Sequence, residues 1–202
     1  MPNIFEDFEW GNDGDNIDTS GGTVTWGKYI AGGTSSAKID TGQAYRGTRS
    51  LEIYRDGVNV ASAWLTKTGE SGYSIKYRFR KTGTAYSFFR HGDGTNLIQL
   101  LHHPNGHIFY SGLNDSGGIV PDDTWVVIEL NNINFTAATF DLWFQGAKIV
   151  PSAAMLLYAS AINRVQFDVD EEGTTSIWID EITVRNWPLS GLIPKLLGGG
   201  LL

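Results

Sequence analysis

The chain has 202 residues, 15 basic and 22 acidic, for a net charge of −7, with 41% hydrophobic and 18% charged residues. That balance describes one globular domain with a sizeable core and excludes a disordered chain. The acidic surplus argues against nucleic acid as a partner, since no basic field is available to displace counterions from phosphate. The absence of cysteine removes disulfides, thiolate metal sites and a Cys nucleophile. No run approaches the ~20 apolar residues of a membrane span, and Met1-Pro2-Asn3-Ile4-Phe5-Glu6-Asp7 carries no signal-peptide pattern. With 25 Gly, 10 Phe, 7 Trp and 8 Tyr, turns and large flat side chains dominate, as they do in sheet proteins.

In chain order, alternation at period two recurs roughly every ten residues, and helical periodicity is nearly absent. Residues 11–18, with Asn12, Asp13, Asp15, Asn16 and Asp18, form a polar loop rich in hard oxygen ligands. Ile17, however, sits where an EF-hand-like loop needs an oxygen. Residues 49–54 and 60–66 read as strands. In 73–80, Tyr73, Ile75, Tyr77 and Phe79 point one way, and Ser74, Lys76, Arg78 and Arg80 the other. Strands at 84–91 and 96–103 follow, and Asn105-Gly106 predicts a hairpin. With those two residues as the loop, His103 faces Ile108, His102 faces Phe109 and Leu101 faces Tyr110. His102 and His103 then lie on opposite faces of one strand, which counts against a shared metal.

Further along, Val126, Ile128 and Leu130 share a face, as do Phe140, Leu142 and Phe144, with Asp141 and Trp143 opposite. Gln145-Gly146 turns the chain into 147–150, and Pro151 opens the one expected short helix, 152–160. Strands at 164–169 and 176–185 close the sheets. In the last of these the apolar phase switches from Ile177 and Ile179 to Ile182 and Val184, which places a β-bulge at Asp180-Glu181. The expected fold is an all-β, antiparallel two-sheet β-sandwich over 1–187. An apolar tail, 188–202, follows, with Leu192, Ile193, Leu196 and Leu197 docking on a partner or on the domain itself.

Three motifs carry a resemblance. Phe5-Glu6-Asp7-Phe8-Glu9-Trp10-Gly11 resembles the opening strand of concanavalin A-like and carbohydrate-binding-module jelly rolls. Ala44-Tyr45-Arg46-Gly47-Thr48-Arg49-Ser50-Leu51 is similar to their entry to an early strand, and Ile177-Trp178-Ile179-Asp180-Glu181-Ile182-Thr183-Val184 to their closing strand. The hairpins around Trp125-Val126-Val127-Ile128-Glu129 and residues 139–146 look like laminin-G-type strands. The resemblance covers 3–187 and implies a jelly roll, a fold shared by lectins, glycanases, lyases and virion proteins. It also implies a structural Ca²⁺ that ties the first strand to the last, with Glu9 and Asp180 as ligands.

Glycan binding asks for an aromatic platform and a few planar hydrogen-bonding groups. Arg78, Arg90, Gln99, His103, Tyr110 and Trp143 supply these from non-core phases, beside Tyr54 and Trp178. A polysaccharide lyase would use Arg78, Arg80, Arg90, Gln99, His103 and Tyr110 to neutralise a uronate and move its proton, but the family's R-x-E-x-R and Q-I-H strings are missing. A retaining glycosidase needs paired carboxylates about 5–5.5 Å apart. The nearest clusters, Asp168-Val169-Asp170-Glu171-Glu172 and Glu6-Asp7-Phe8-Glu9, depart from the E-x-D-x-x-E pattern. The expectation is therefore a non-enzymatic, lectin-like attachment or assembly module, a bacteriophage virion protein such as a tail-tip, fibre or capsid-decoration component. Its partners are other virion proteins or further copies of itself, and a surface glycan. A polysaccharide lyase and a secreted carbohydrate-binding module are the alternatives.

Overall fold

The structure, a computed structural model, describes residues 4–19, 24–66, 74–83, 85–92, 98–157, 162–170 and 173–185. The first strands are β1 (Ile4–Glu6), β2 (Thr25–Ile30), β3 (Ser36–Asp40), β4 (Ser50–Asp56), β5 (Ala61–Thr66), β6 (Ser74–Gly83), β7 (Tyr86–Gly92) and β8 (Ile98–His102). Then come β9 (His107–Tyr110), β10 (Asn114–Ile119), β11 (Val126–Asn134), β12 (Thr139–Phe144), β13 (Ala147–Ala154), β14 (Arg164–Asp170) and β15 (Thr174–Arg185). One sheet has eight strands in the order β13-β12-β11-β6-β15-β4-β3, with β1 added alongside β15. The other has seven, in the order β10-β9-β8-β7-β14-β5-β2. Pairing is antiparallel, so the molecule is an all-β sandwich with the expected architecture.

Alternation decides what lies between the sheets. Ile75, Tyr77 and Phe79 of β6 point inward together with Phe89 of β7 and Phe167 of β14. Tyr77 meets Phe167 edge-on at 5.2 Å and Phe89 at 5.5 Å, and Phe79 meets Phe89 at 4.8 Å. These T-shaped contacts span the gap between the two sheets, each adding about 0.5–1.5 kcal/mol beyond the area it buries. The bulge lies where the apolar phase switches. The β15–β6 register shifts between Asp180 and Thr183, and Glu181 takes φ 49°. Before it, β15 pairs on its other side with β4, and after it with β1.

Two expectations are corrected, and three strands are new. The segment expected to begin a helix instead continues β13 through Ala154, and no α-helix occurs among the described residues. Because β13 is the edge strand, Pro151 needs no ladder donor on its open side. Ser152 turns the chain with φ 51° and gives its N–H to Asp141 Oδ1 at 2.9 Å. The hairpin loop holds three residues, not two: Gly106, at φ 91°, donates to His103 O, and His103 N–H donates to His107 O. The pairs are therefore Leu100 with Tyr110, Leu101 with Phe109 and His102 with Ile108. This one-residue slip turns Tyr110 onto the core face. Finally, β2, β3 and β10 were not anticipated. Tyr73, Glu171, Glu172 and the tail 188–202 with Leu192, Ile193, Leu196 and Leu197 lie outside the described residues.

The interior also holds polar groups. Both ring nitrogens of His91 and of His102, and Tyr77 Oη, are buried without a hydrogen-bond partner. Burial holds each imidazole neutral and lowers its pKa to about 3; at His102 the nearby charges of Lys81 and His103 add to the effect. The unfolded chain takes up these protons below about pH 6.5. The stability that the neutral rings contribute is thus complete above that pH and is lost as pH falls towards 3. Thermal unfolding followed from pH 7.5 to 4.5 should show a steep loss of melting temperature, and a His91→Leu, His102→Leu variant a clearly flatter one. Parallel slopes for the two proteins would show that other groups set the acid lability.

Candidate ligand-binding face

The same alternation aims a second set of side chains out of the seven-stranded sheet. Register aligns them in rungs across the strands. One rung runs Gln99 (β8), Arg90 (β7), Gln166 (β14), Trp64 (β5) and Gly27 (β2). The next runs Phe109 (β9), Leu101, Phe88, Asp168, Ser62 and Tyr29. On the far side of the second rung Tyr86 stands opposite Asp170, and its hydroxyl lies 3.2 Å from His103 Nε2. On the far side of the first, Arg164 lies between Gly92 and Thr66.

Flat groups dominate this surface. Tyr86 and Phe88 are stacked at 6.5 Å, His103 packs on Tyr86 at 4.9 Å and on Phe109 at 5.6 Å, and the Arg90 guanidinium lies 4.7 Å over Phe88. Trp64 rests on the backbone of Gly27, where a Cβ would come within 2.5–2.7 Å of the indole. The Arg164 guanidinium lies 4.3 Å from the same ring. Asp168, only 1% exposed, is the buried anchor. Its Oδ2 takes Arg90 Nη1 at 2.9 Å and its Oδ1 takes Gln166 Nε2 at 2.6 Å. Burial raises its pKa, and Arg90, Ser62, Gln166 and Arg164 oppose that rise.

Of the residues expected to bind a glycan, Arg90, Gln99 and His103 are brought together here. Tyr110 is turned to the core by the hairpin slip. Arg78 and Trp143 belong to the outer face of the other sheet. There Arg78 is bound by Glu181 at 3.0 Å over the Tyr45 ring, and Arg80 is engaged by Gln43 and Asp123. Trp143 lies beneath Lys148 at 5.6 Å with its Nε1 buried and unpartnered. Trp178, also on that face, donates to Asp40 at 2.8 Å. Trp64, Phe88, Phe109 and Gln166 were missed. The outward phase of Ser62, Trp64 and Thr66 against inward Ala61, Ala63 and Leu65 was the signal available for Trp64.

No protein-family model matches the chain, and no curated protein matches it. Solved structures do. A sialidase superimposes with a TM-score of 0.66 at 10% identity over 92% of this chain, which spans 19% of the sialidase. The endo-β-1,4-glucuronan lyase of the fungus Trichoderma reesei matches at 0.52 and 13% identity, over 93% of this chain and 96% of that one. The binding domain of botulinum neurotoxin DC, solved with rat synaptotagmin II, matches at 0.56 and 10% identity, over 84% and 45%. At such identities the likeness speaks for the fold. The chain shares the fold of these structures, a sandwich of two antiparallel sheets.

The implied calcium ligands occupy the other sheet's end. Glu9 takes the N–H groups of Thr48 and Arg49 on Oε1, at 2.7 and 3.0 Å, and Thr48 Oγ1 on Oε2. Partial burial raises its pKa, but these donors and Arg49 outweigh that and leave it below the ordinary value. Asp180, fully buried, takes Tyr45 N–H and Arg46 N–H on Oδ2, each at 3.0 Å, and Glu181 N–H on Oδ1 at 2.7 Å. Its pKa is pushed up to about 6 by burial, against these donors. Ca²⁺ needs six to eight oxygens, whereas these carboxylates face N–H donors. As placed, the pair does not fit the ion, and it clamps the two ends of the 45–49 loop. Nor does any group of three or more His, Asp or Glu among the described residues offer a metal site. The 11–18 loop follows the same pattern: Asp15 accepts from Asn12 N–H, Asp13 accepts from Thr41 N–H, and Ile17 is core. Asp180→Ala should therefore cost about 2–4 kcal/mol by stranding three N–H groups, measured by urea unfolding. Excess EDTA should leave the wild-type melting temperature unchanged; a fall would restore the metal at this place.

Proposed function

We propose that this protein is a non-enzymatic, lectin-like β-sandwich module that binds a glycan on the outer face of its seven-stranded sheet. The observation that carries this reading is the pair of neighbouring rungs that set Phe88 and Phe109 beside Arg90, Gln99, Gln166 and Trp64. A sugar ring presents an apolar C–H face and a rim of hydroxyls. Aromatic planes held by a rigid sheet match the first, and planar amide and guanidinium groups match the second.

Lysis asks for more: a base and a cation at the same sugar ring. The Tyr86–His103 pair could serve as base, but the nearby Arg90 is neutralised by Asp168. Arg164 stands six residues and two strands away by register, about 22 Å from strand rise and spacing. The two requirements are met at opposite ends, which supports binding over elimination.

Phe88→Ala should weaken binding to the best ligand of an oligosaccharide array about tenfold or more, with the melting temperature held within a few degrees. Tyr45→Ala on the other sheet should leave binding intact. The same incubations should release no ultraviolet-absorbing unsaturated product, and its appearance would favour a lyase. An attachment or assembly role in a virion is supported by the apolar composition of 188–202. Light scattering should then give a defined multimer for the full chain and a monomer for a chain ending at 187. A full-length monomer would remove the assembly half of the reading.

A further inference from the structure

Along β14 the outward phase of this face runs Arg164, Gln166, Asp168 and Asp170. The cations are not equivalent. Arg90 is paired with the buried Asp168. Among the described residues Arg164 forms no ion pair. It is half-buried and laid on Trp64 at 4.3 Å, and its Nε is buried without an acceptor. Burial lowers its pKa against the distant pull of Asp168, yet a guanidinium stays charged at any physiological pH.

A guanidinium stacked on an indole keeps its planar edge of N–H donors free for a bidentate contact, and it has already lost much of its hydration. Gly27 is part of the same device, because any side chain there would lift the indole from the sheet. Building on the glycan-binding reading, we infer that the ligand is a carboxylated glycan whose acid group is taken by Arg164 while its neutral rings lie along Phe88 and Phe109. From Arg164 to Phe88 is four residues and one strand by register, about 14 Å, a span for a short oligosaccharide and not for a single sugar.

The test uses the full chain with four ligands: a uronate oligosaccharide, a sialylated oligosaccharide and the neutral counterpart of each. The wild type should bind at least one acidic ligand more tightly than its counterpart, and less tightly as salt is raised. Which acidic ligand wins identifies the source of the carboxylate. Arg164→Gln should lose tenfold or more on that ligand and keep its affinity for the neutral one. Arg164→Lys, which retains charge without the fork, should fall between them. Equal affinity for acidic and neutral ligands, or an equal loss on both in Arg164→Gln, would overturn the carboxylate assignment and leave the glycan face standing. Failure of all four ligands to bind would bring down the face reading together with it.

Discussion

Everything outward in this molecule depends on the aromatic contact at its centre. Tyr77 and Phe79 of one sheet lock edge-on into Phe89 and Phe167 of the other. Because strand side chains alternate with period two, fixing these four rings inward fixes their neighbours outward. Arg78 and Arg80 go to one surface, and Phe88, Arg90, Gln166 and Asp168 to the other. A slip of one residue in either sheet would exchange its core face for its outer face. The cost of burying charged groups in the core, set against the apolar area lost, makes such a slip prohibitive.

The two faces then differ in kind. On the eight-stranded sheet each cation of β6 meets a carboxylate: Lys76 with Glu129, Arg78 with Glu181, Arg80 with Asp123 and Lys81 with Asp122. These pairs leave that surface electrically quiet. On the seven-stranded sheet the carboxylate is buried instead. Asp168 beneath Arg90 and Gln166 is a costly arrangement whose value is geometric, since it holds planar groups in fixed orientation beside the aromatic rings. The bulge at Asp180-Glu181 plays the matching part at the sandwich end. It points a buried carboxylate at the amides of the 45–46 backbone and lets β15 change partners from β4 to β1.

Much of this was legible in the chain. The inward set of β6, the full extent of β12, the tight Gln145-Gly146 turn and the bulge all follow from alternation and turn chemistry, which are local. What failed had non-local causes. Pro151 and the Ala-rich run after it satisfy helix rules, but pairing with β12 keeps the chain in the sheet through Ala154. Tyr110 was misplaced by one residue, because whether Asn105-Gly106 closes a two- or a three-residue loop is decided by the strands it joins. Trp64 escaped notice because its significance lies in Gly27, 37 positions earlier, which only the pairing of β2 with β5 brings beneath it.

By itself, then, the sequence determined the class of fold, the inward and outward phase of β6, β11, β12 and β15, and the absence of cysteine chemistry, because each of these depends on residue type and near neighbours. Only the tertiary structure decided which outward residues share a surface. Arg78, Arg90 and Trp143 are equivalent in pattern, yet sheet order sends Arg90 to one face and the other two to the opposite one, across the thickness of the core. Sheet membership is set by long-range pairing and by the packing of two sheets against each other, and no local spacing encodes that choice.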